Sequence, residues 1–356
     1  MDTMPEFSKY KITELPRNVV AGHGVLPGIP EHCTRLGLPD SVLIVADEVT
    51  RKIAAQSILD SFLEKDFDAD IVCITEADSE TVSTVREIAS GLGDVFLAGV
   101  GGGRPIDTAK CASFDSKLEF ISVPTAASHD GIVSSRASIM VNGVKESLEA
   151  QTPIAVFADT GILASSPFRM LAAGCGDIIS NKTAVLDWKL AAKLRKEEYS
   201  SYAATLSEIT AEMLIENANQ IKPNDEESAW QVVKALVSSG VAMSIAGTSR
   251  PASGSEHKFS HALDRIAKTP GLHGEQCGVG TIMMMKLHGG NWESVRDALA
   301  TIGAPTKAAD MGISREEVIK ALVMAKDIRP DRYTILGHEG LDPEKAEKLA
   351  EETEVI

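Results

Sequence analysis

A parallel-sheet α/β unit followed by an all-helical unit is the architecture this sequence predicts. Three observations carry it. Short apolar runs alternate with helix-period segments up to Asp159. The pattern then changes to long segments rich in Ala, Glu, Lys and Leu, with no comparable strand run. A run of glycines sits where one strand hands over to a helix. Together these place α/β structure before a boundary near residue 163 and helices after it.

Taken in order, Ser41–Ala46 (SVLIVA) is apolar throughout and ends at Asp47, and a helical pattern follows through Lys65. Ala69–Ile74 (ADIVCI) is a second run, with helix-period residues through Ala89. Asp94–Val100 (DVFLAGV) is a third and leads into the glycines, then Pro105 at a first helical position. Glu119–Val123 (EFISV) is a fourth. Strands apolar on both faces and separated by helices belong to a parallel sheet covered on both sides. Ala137–Val141 and Val144–Leu148 flank Asn142-Gly143, a dipeptide that takes the φ > 0 turn of a two-residue hairpin. Ile154–Ala158 closes this half with one more strand. From Pro167 onward the periodic segments Phe168–Arg195, Tyr202–Gln220, Glu226–Ala246, Ser255–Lys268, Gln276–His288, Trp292–Ile302, Arg315–Lys326 and Pro343–Glu351 each read as a helix.

The 356 residues suit two domains, and 51 acidic against 35 basic side chains give a formal charge of −16. That acidity repels phosphate backbones and anionic lipid heads, and 4% aromatic content leaves no stacking platform, so neither nucleic acid nor a membrane surface is an expected partner. The charge-free stretch Ala235–Ser249 is too short and too rich in Ser and Gly to span a bilayer. The N-terminus has no apolar signal core, so the expected location is the cytoplasm. Five scattered cysteines with no CxxC pair fit reduced thiols and leave no cysteine-built zinc site.

The glycine run spans Gly99 to Gly103, followed by Arg104, Pro105, Ile106 and Asp107. Glycines let a backbone approach a pyrophosphate, and a helix N-terminus offers free N–H groups and a positive dipole end. The GxGxxG fingerprint is not matched, because Arg104 stands where the last Gly should fall. Asp47, at a strand's end, is placed either to accept hydrogen bonds from an adenosine ribose or to cap the next helix. Ser122–Gly131 sets small hydroxyls, a carboxylate and glycine at another strand's end, as a binding loop or an ordinary turn would.

His257, His261 and His273 fall within seventeen residues. His257 and His261 lie four apart in a helical segment and share a face, the spacing of helical zinc sites. Lys258 stands where HExxH has its glutamate, so the general base of a metalloprotease is missing. His273 lies in a glycine-flanked loop before the next helix, and Asp177 is a carboxylate among small and apolar residues, costly to bury unless paired or metal-bound. One Asp and two His make a three-ligand site with an open position, the pattern of catalytic zinc, and the same donors accept Fe(II) or Mn(II). Spacing leaves open which two histidines are ligands.

VGGGRPIDTAK (100–110), SVPTAASHDGIVSSRASI (122–139), GCGDIISNKTAVLDWKLA (174–191), SGSEHKFSHALD (253–264) and LHGEQCGVG (272–280) run in register through both halves. Together they closely resemble the sn-glycerol-1-phosphate dehydrogenases, a family of the iron-containing alcohol dehydrogenase and dehydroquinate synthase superfamily. The resemblance implies a Rossmann-like NAD(P)-binding α/β domain over residues 1–163 and a helical metal- and substrate-binding domain over 164–356. It implies contacts to NAD or NADP at Gly103, Arg104, Pro105, Ile106 and Asp107, at Thr125, Ala126, Ala127 and Ser128, and at Ser134, with Asp47 as the candidate on the ribose side. It places one Zn²⁺ per subunit on Asp177, His257 and His273, and substrate contacts at Asp130, Asp177 and His261. Arg104 and Pro105 depart from the family's most common wording around the glycines.

The implied reaction is reversible reduction of dihydroxyacetone phosphate to sn-glycerol 1-phosphate, the glycerophosphate backbone of archaeal-type membrane lipids. The implied assembly is a homo-oligomer. A phosphorylated substrate needs a cation despite the acidic surface, and Lys258 and Arg136 are the candidates nearest in sequence. Asp47 beside a ribose would disfavour a 2′-phosphate, which leans the expectation toward NAD. The competing readings are a glycerol dehydrogenase, a dehydroquinate synthase-like enzyme that recycles its NAD, and a metal-dependent hydrolase built on His257 and His261.

Overall fold

The computed structural model describes residues 12–356. Six strands form one parallel sheet in the order β1-β8-β5-β4-β2-β3. They are β1 (Asn18–Gly22), β2 (Ser41–Ala46), β3 (Asp68–Cys73), β4 (Phe96–Gly101), β5 (Phe120–Pro124) and β8 (Ala155–Asp159). The inner strands β2, β4, β5 and β8 are buried almost end to end, which is why each reads as an unbroken apolar run. Ile29, Ile58 and Phe62 cover one face, and Val85, Ile106 and Ala109 the other. The sequence reading missed β1, an edge strand paired only with β8 and no more than half-buried.

The strand order places the ligand crevice. From β2 the chain moves outward to β3, then returns to lay β4 on the other side of β2. In open parallel sheets, ligands bind beyond the strands' carboxyl ends where the winding reverses. Those ends here are Asp47 after β2 and Gly102 after β4.

The hairpin is β6 (Arg136–Val141) and β7 (Val144–Glu149), closed by Asn142 at φ 51° and Gly143 at φ 77°, the turn the dipeptide predicts. It packs over the helix Gly103–Ser116, with Ser138 N–H donating to Asp107 at 3.0 Å. Buried Lys110 ties the same helix to the carbonyls of Gly131 and Arg136.

From Thr160 on, the named elements are helical. Phe168–Arg195, Glu226–Ala246 and Trp292–Ile302 have the bounds the periodicity predicts. Others differ for local reasons. Tyr202–Gln220 is a helix Ser201–Glu216 and a separate turn Ala218–Gln220, and Arg315–Lys326 likewise splits at Met324. The short helices Ile29–Leu36 and Thr160–Ser165 were not anticipated. The helix after β2 passes through a π-type stretch at Arg51–Ala55. Glu226–Ala246 is long and apolar enough to cross a bilayer, but here it is a core helix that buries Val232, Val233 and Leu236.

Candidate functional site

One cavity of about 800 Å³ joins the crevice to the helical half. Its sheet-side wall is mostly backbone. Gly102 caps the helix Gly103–Ser116, whose first N–H groups face the cavity. The turn needs its glycines: a Cβ on Gly99 would stand 2.8 Å from the Ile106 Cα, and one on Gly101 2.7 Å from the Pro105 ring. Pro105 is the third residue of this helix, not the first.

Gly103, Arg104, Pro105, Asp107, Thr125, Ala126, Ser128 and Ser134 all line the cavity. Ile106 and Ala127 do not: both are fully buried in the core, because their faces of helix and loop turn inward. Asp107 is already engaged by Ser138 N–H and by Lys110 at 3.4 Å. Asp47 also lines the cavity, and the structure shows it capping: Oδ1 accepts from Val49 N–H at 3.0 Å and Thr50 N–H at 2.8 Å. Its Oδ2 stands 3.6 Å from Arg104, so a cation is beside it at the cavity rim.

The opposite wall is built from side chains. Asp177 lies in the helix Phe168–Arg195, His257 and His261 in Ser255–Ile266, and His273 opens His273–Leu287. The sequence reading left His273 in a loop; it is the first helical residue, because Glu275 reaches back to the Leu272 N–H and starts the helix there. Small residues let these segments touch. A Cβ on Gly274 would stand 1.9 Å from the Ala173 carbonyl oxygen, and one on Gly174 2.1 Å from that of Ala127. This close packing brings His273, Asp177 and the Asp130 loop to one point.

Hydrogen bonds set the state of each donor. Glu256, fully buried, faces His257 Nδ1 at 2.9 Å and is held by Thr183 Oγ1 at 2.6 Å. With Nδ1–H donated to that carboxylate, His257 Nε2 points at Asp177 Oδ1, 3.9 Å away. Ser260 donates its hydroxyl to Gln276 Oε1 and so accepts from His273 Nδ1–H at 3.1 Å. His273 Nε2 therefore also presents a lone pair, 3.7 Å from Asp177 Oδ1. Asp177 Oδ2 accepts from Asp130 N–H at 2.9 Å, and Asp130 Oδ2 accepts from Ser239 Oγ at 2.8 Å.

Three donor atoms thus converge at separations too long for hydrogen bonds between them. Donors about 2 Å from one tetrahedral ion stand about 3.3 Å apart, so the set fits a divalent cation. Cys277 belongs to the same group, all of whose donor atoms lie within 4.8 Å of one another. Burial pushes its thiol up to about 11.

Burial, then the charge of Asp130, pushes Asp177 up to about 7. Without a metal, burial at His257 is outweighed by Cys277 and Glu256, which hold it well above the usual histidine range, and burial together with that charge holds His261 and His273 well below it. His261 lines the cavity beside this group, its ring centre 6.0 Å from that of His273.

Of the two cations the sequence offered, Arg136 lines the cavity. Lys258 does not: it is buried, and that burial pushes it down to about 8. The sequence reading missed Glu256, Ser260, Gln276 and Cys277. The available signal was helical spacing, since Ser260 follows His257 by one turn and Gln276 and Cys277 follow His273 by one turn.

Known proteins are similar over nearly the full length of this chain. A family model described as iron-containing alcohol dehydrogenase matches residues 20–167. Glycerol-1-phosphate dehydrogenase [NAD(P)+] of Methanosarcina acetivorans is 58% identical over 346 residues, covering 97% of each chain. The enzyme of the same name from Methanothermobacter thermautotrophicus is 54% identical, covering 96% of this chain and 98% of its own. The fold matches a probable glycerol dehydrogenase from Sinorhizobium meliloti at a TM-score of 0.78 and 22% identity, over 98% of this chain and 100% of that one. With identity this high across nearly the full length, this chain belongs to the glycerol-1-phosphate dehydrogenase family, on the fold of the iron-containing alcohol dehydrogenases.

Proposed function

We propose that this chain reversibly reduces dihydroxyacetone phosphate to sn-glycerol 1-phosphate with NADH or NADPH. The observation that carries the reading is the convergence of Asp177, His257 and His273 in the same cavity as the glycine turn, in a chain 51–58% identical to enzymes of that name. The names of these relatives favour this reading over the glycerol dehydrogenase, synthase and hydrolase alternatives.

Asp177, His257 and His273 would hold one Zn²⁺, with Cys277 beside it. When bound there, the ion supplies Lewis acidity toward the oxygen on substrate C2. A nicotinamide supplies the hydride or takes it back. The chain's own residues supply position. Glu256 and Ser260 fix the histidine tautomers, and the Asp130 N–H fixes the Asp177 carboxylate. The N–H groups at the start of the helix Gly103–Ser116 receive the cofactor pyrophosphate, with Thr125, Ser128 and Ser134 along its path. Asp130 and His261 hold substrate hydroxyls. His261, kept neutral, offers one N–H and one lone pair, which suits it to pass a proton at the substrate oxygen.

The reading includes a division of labour between residues 1–163, which bind the dinucleotide, and 164–356, which bind metal and substrate. It also includes a cytoplasmic homo-oligomer that acts on a small phosphorylated molecule, without nucleic acid or membrane insertion. The test is nicotinamide reduction by enantiopure sn-glycerol 1-phosphate beside sn-glycerol 3-phosphate and glycerol. Turnover of the sn-1 enantiomer alone supports the reading. Turnover of glycerol alone moves the chain to the unphosphorylated reaction.

A further inference from the structure

One end of the cavity is lined by Arg136 and Arg329, with Arg332 behind them, and no carboxylate pairs with any of the three. Arg136, in β6, donates to the hydroxyl and carbonyl oxygens of Ser147 across the hairpin. Arg332 donates to the Ser253 carbonyl at 2.8 Å and to Ser249 Oγ at 2.9 Å. The Arg329 carbonyl accepts from the Arg332 N–H at 2.9 Å, but its guanidinium has no hydrogen-bond or ion-pair partner among the described residues. Glu149, Glu197 and Asp331 act on the trio only from beyond ion-pair distance.

In a chain of net charge −16 this grouping is costly, because partly buried like charges repel and lose hydration together. Burial and neighbouring arginines hold Arg329 and Arg332 below the usual arginine range. Guanidinium groups stay charged even so, and the compensation has to come from an anion that arrives with a ligand. Arg329 also holds a left-handed backbone, φ 46°.

The position selects the anion. Arg136, Arg329, Ser249 and Ser253 line the cavity together with His257 and His261, and the charge of Arg329 reaches His261. The cofactor's pyrophosphate has its own place at the Gly103 helix start, beside Asp47 at the crevice. Lys145 also faces the cavity but is paired with Asp264 at 3.2 Å.

We propose that Arg136 and Arg329 clamp the phosphate of the three-carbon substrate, with Arg332 behind them holding Ser249 and Ser253 at its edge. The proposal rests on the reaction proposed above. The unengaged Arg329 fork matches a phosphate dianion with paired, charge-assisted hydrogen bonds, and Arg136, whose Nε and Nη2 already hold Ser147, adds its charge and its Nη1. An unphosphorylated triose leaves the trio uncompensated, so the same arginines that recruit the phosphate reject the neutral analogue.

The test uses the zinc-loaded holoenzyme and the variant Arg329→Asn, since Asn tolerates a left-handed backbone. The KM for dihydroxyacetone phosphate should rise about 10- to 100-fold, as loss of a charged hydrogen-bond partner does. The Ki of inorganic phosphate should rise with it, while the KM for NADH stays put. The loss on dihydroxyacetone phosphate should exceed any loss on dihydroxyacetone at least tenfold. Arg136→Met should act in the same direction and serves if Arg329→Asn does not fold. Unchanged KM and Ki in the folded variants, or an equal rise for NADH, would overturn the clamp. Calorimetric titration of inorganic phosphate into NAD⁺-loaded protein separates the two readings. If Arg329→Asn abolishes that binding in a protein that does not reduce dihydroxyacetone phosphate, the clamp stands and the proposed reaction falls.

Discussion

The two walls of the cavity are built in opposite ways. The sheet-side wall, from Gly99 to Pro105, offers backbone N–H groups and tolerates no Cβ at its tight points. The helical wall offers Asp177, His257 and His273, fixed by the Asp130 loop, by the neighbouring Glu256 and by Ser260 of the His257 helix. The first wall depends on space and the second on a hydrogen-bond network. The first should therefore fail by steric collision and the second one partner at a time.

The largest effect should come from Asp177→Asn, which removes a charged donor and keeps the shape. Bound metal and turnover should fall to background, beyond the about 10- to 100-fold cost of losing a ligand's hydrogen-bond partner. In the metal-free protein the same change should stabilise. The Asp177 pKa rises from 3.8 unfolded to about 7 folded, so its contribution to stability is intact below about pH 4 and lost as pH rises through about 7. Thermal melts of metal-free protein at pH 5 and pH 8 check this: the wild type should lose more than Asp177→Asn between the two. Zinc competes with that proton, so wild-type zinc affinity should weaken from pH 8 to pH 6.

Gly274→Ala comes next. Its Cβ would meet the Ala173 backbone oxygen at 1.9 Å, a contact no side-chain rotation relieves. Metal binding should drop sharply and the melting temperature should fall; an unaltered zinc isotherm would show that the walls are less tightly joined than described. Glu256→Gln keeps the shape but weakens the grip on His257 Nδ1–H, and zinc affinity should fall about 10- to 100-fold. The smallest effect is at the rim. Arg104 is exposed and 3.6 Å from Asp47, where it can meet a 2′-phosphate that Asp47 alone would repel. Arg104→Ala should raise the KM for NADPH about 2- to 5-fold and leave that for NADH nearly unchanged.

The same contrast explains what the sequence made legible. Strands β2, β4, β5 and β8 were readable because burial on both faces leaves a continuous apolar run, whereas β1 at the sheet edge leaves none. The hairpin was readable because Asn142-Gly143 has few other uses. The glycine turn was legible as a place, whereas the capping by Asp47 Oδ1 and the inward-facing side chains of Ile106 and Ala127 emerge only from the packing. For the histidines, spacing gave the cluster and the resemblance singled out two. Their partners were not legible, because which face of the His257 helix meets Thr183 or Gln276 is a fact of packing. Arg329 and Arg332 were invisible for the same reason. They lie more than sixty residues beyond His261, in a loop with no pattern of its own.

The most direct test of the account is a zinc titration of chelator-treated protein, following bound metal and sn-glycerol 1-phosphate turnover together. Asp177, His257 and His273 form one site, so both signals should rise in step and saturate at one ion per chain. Full turnover before any metal binds would contradict the account.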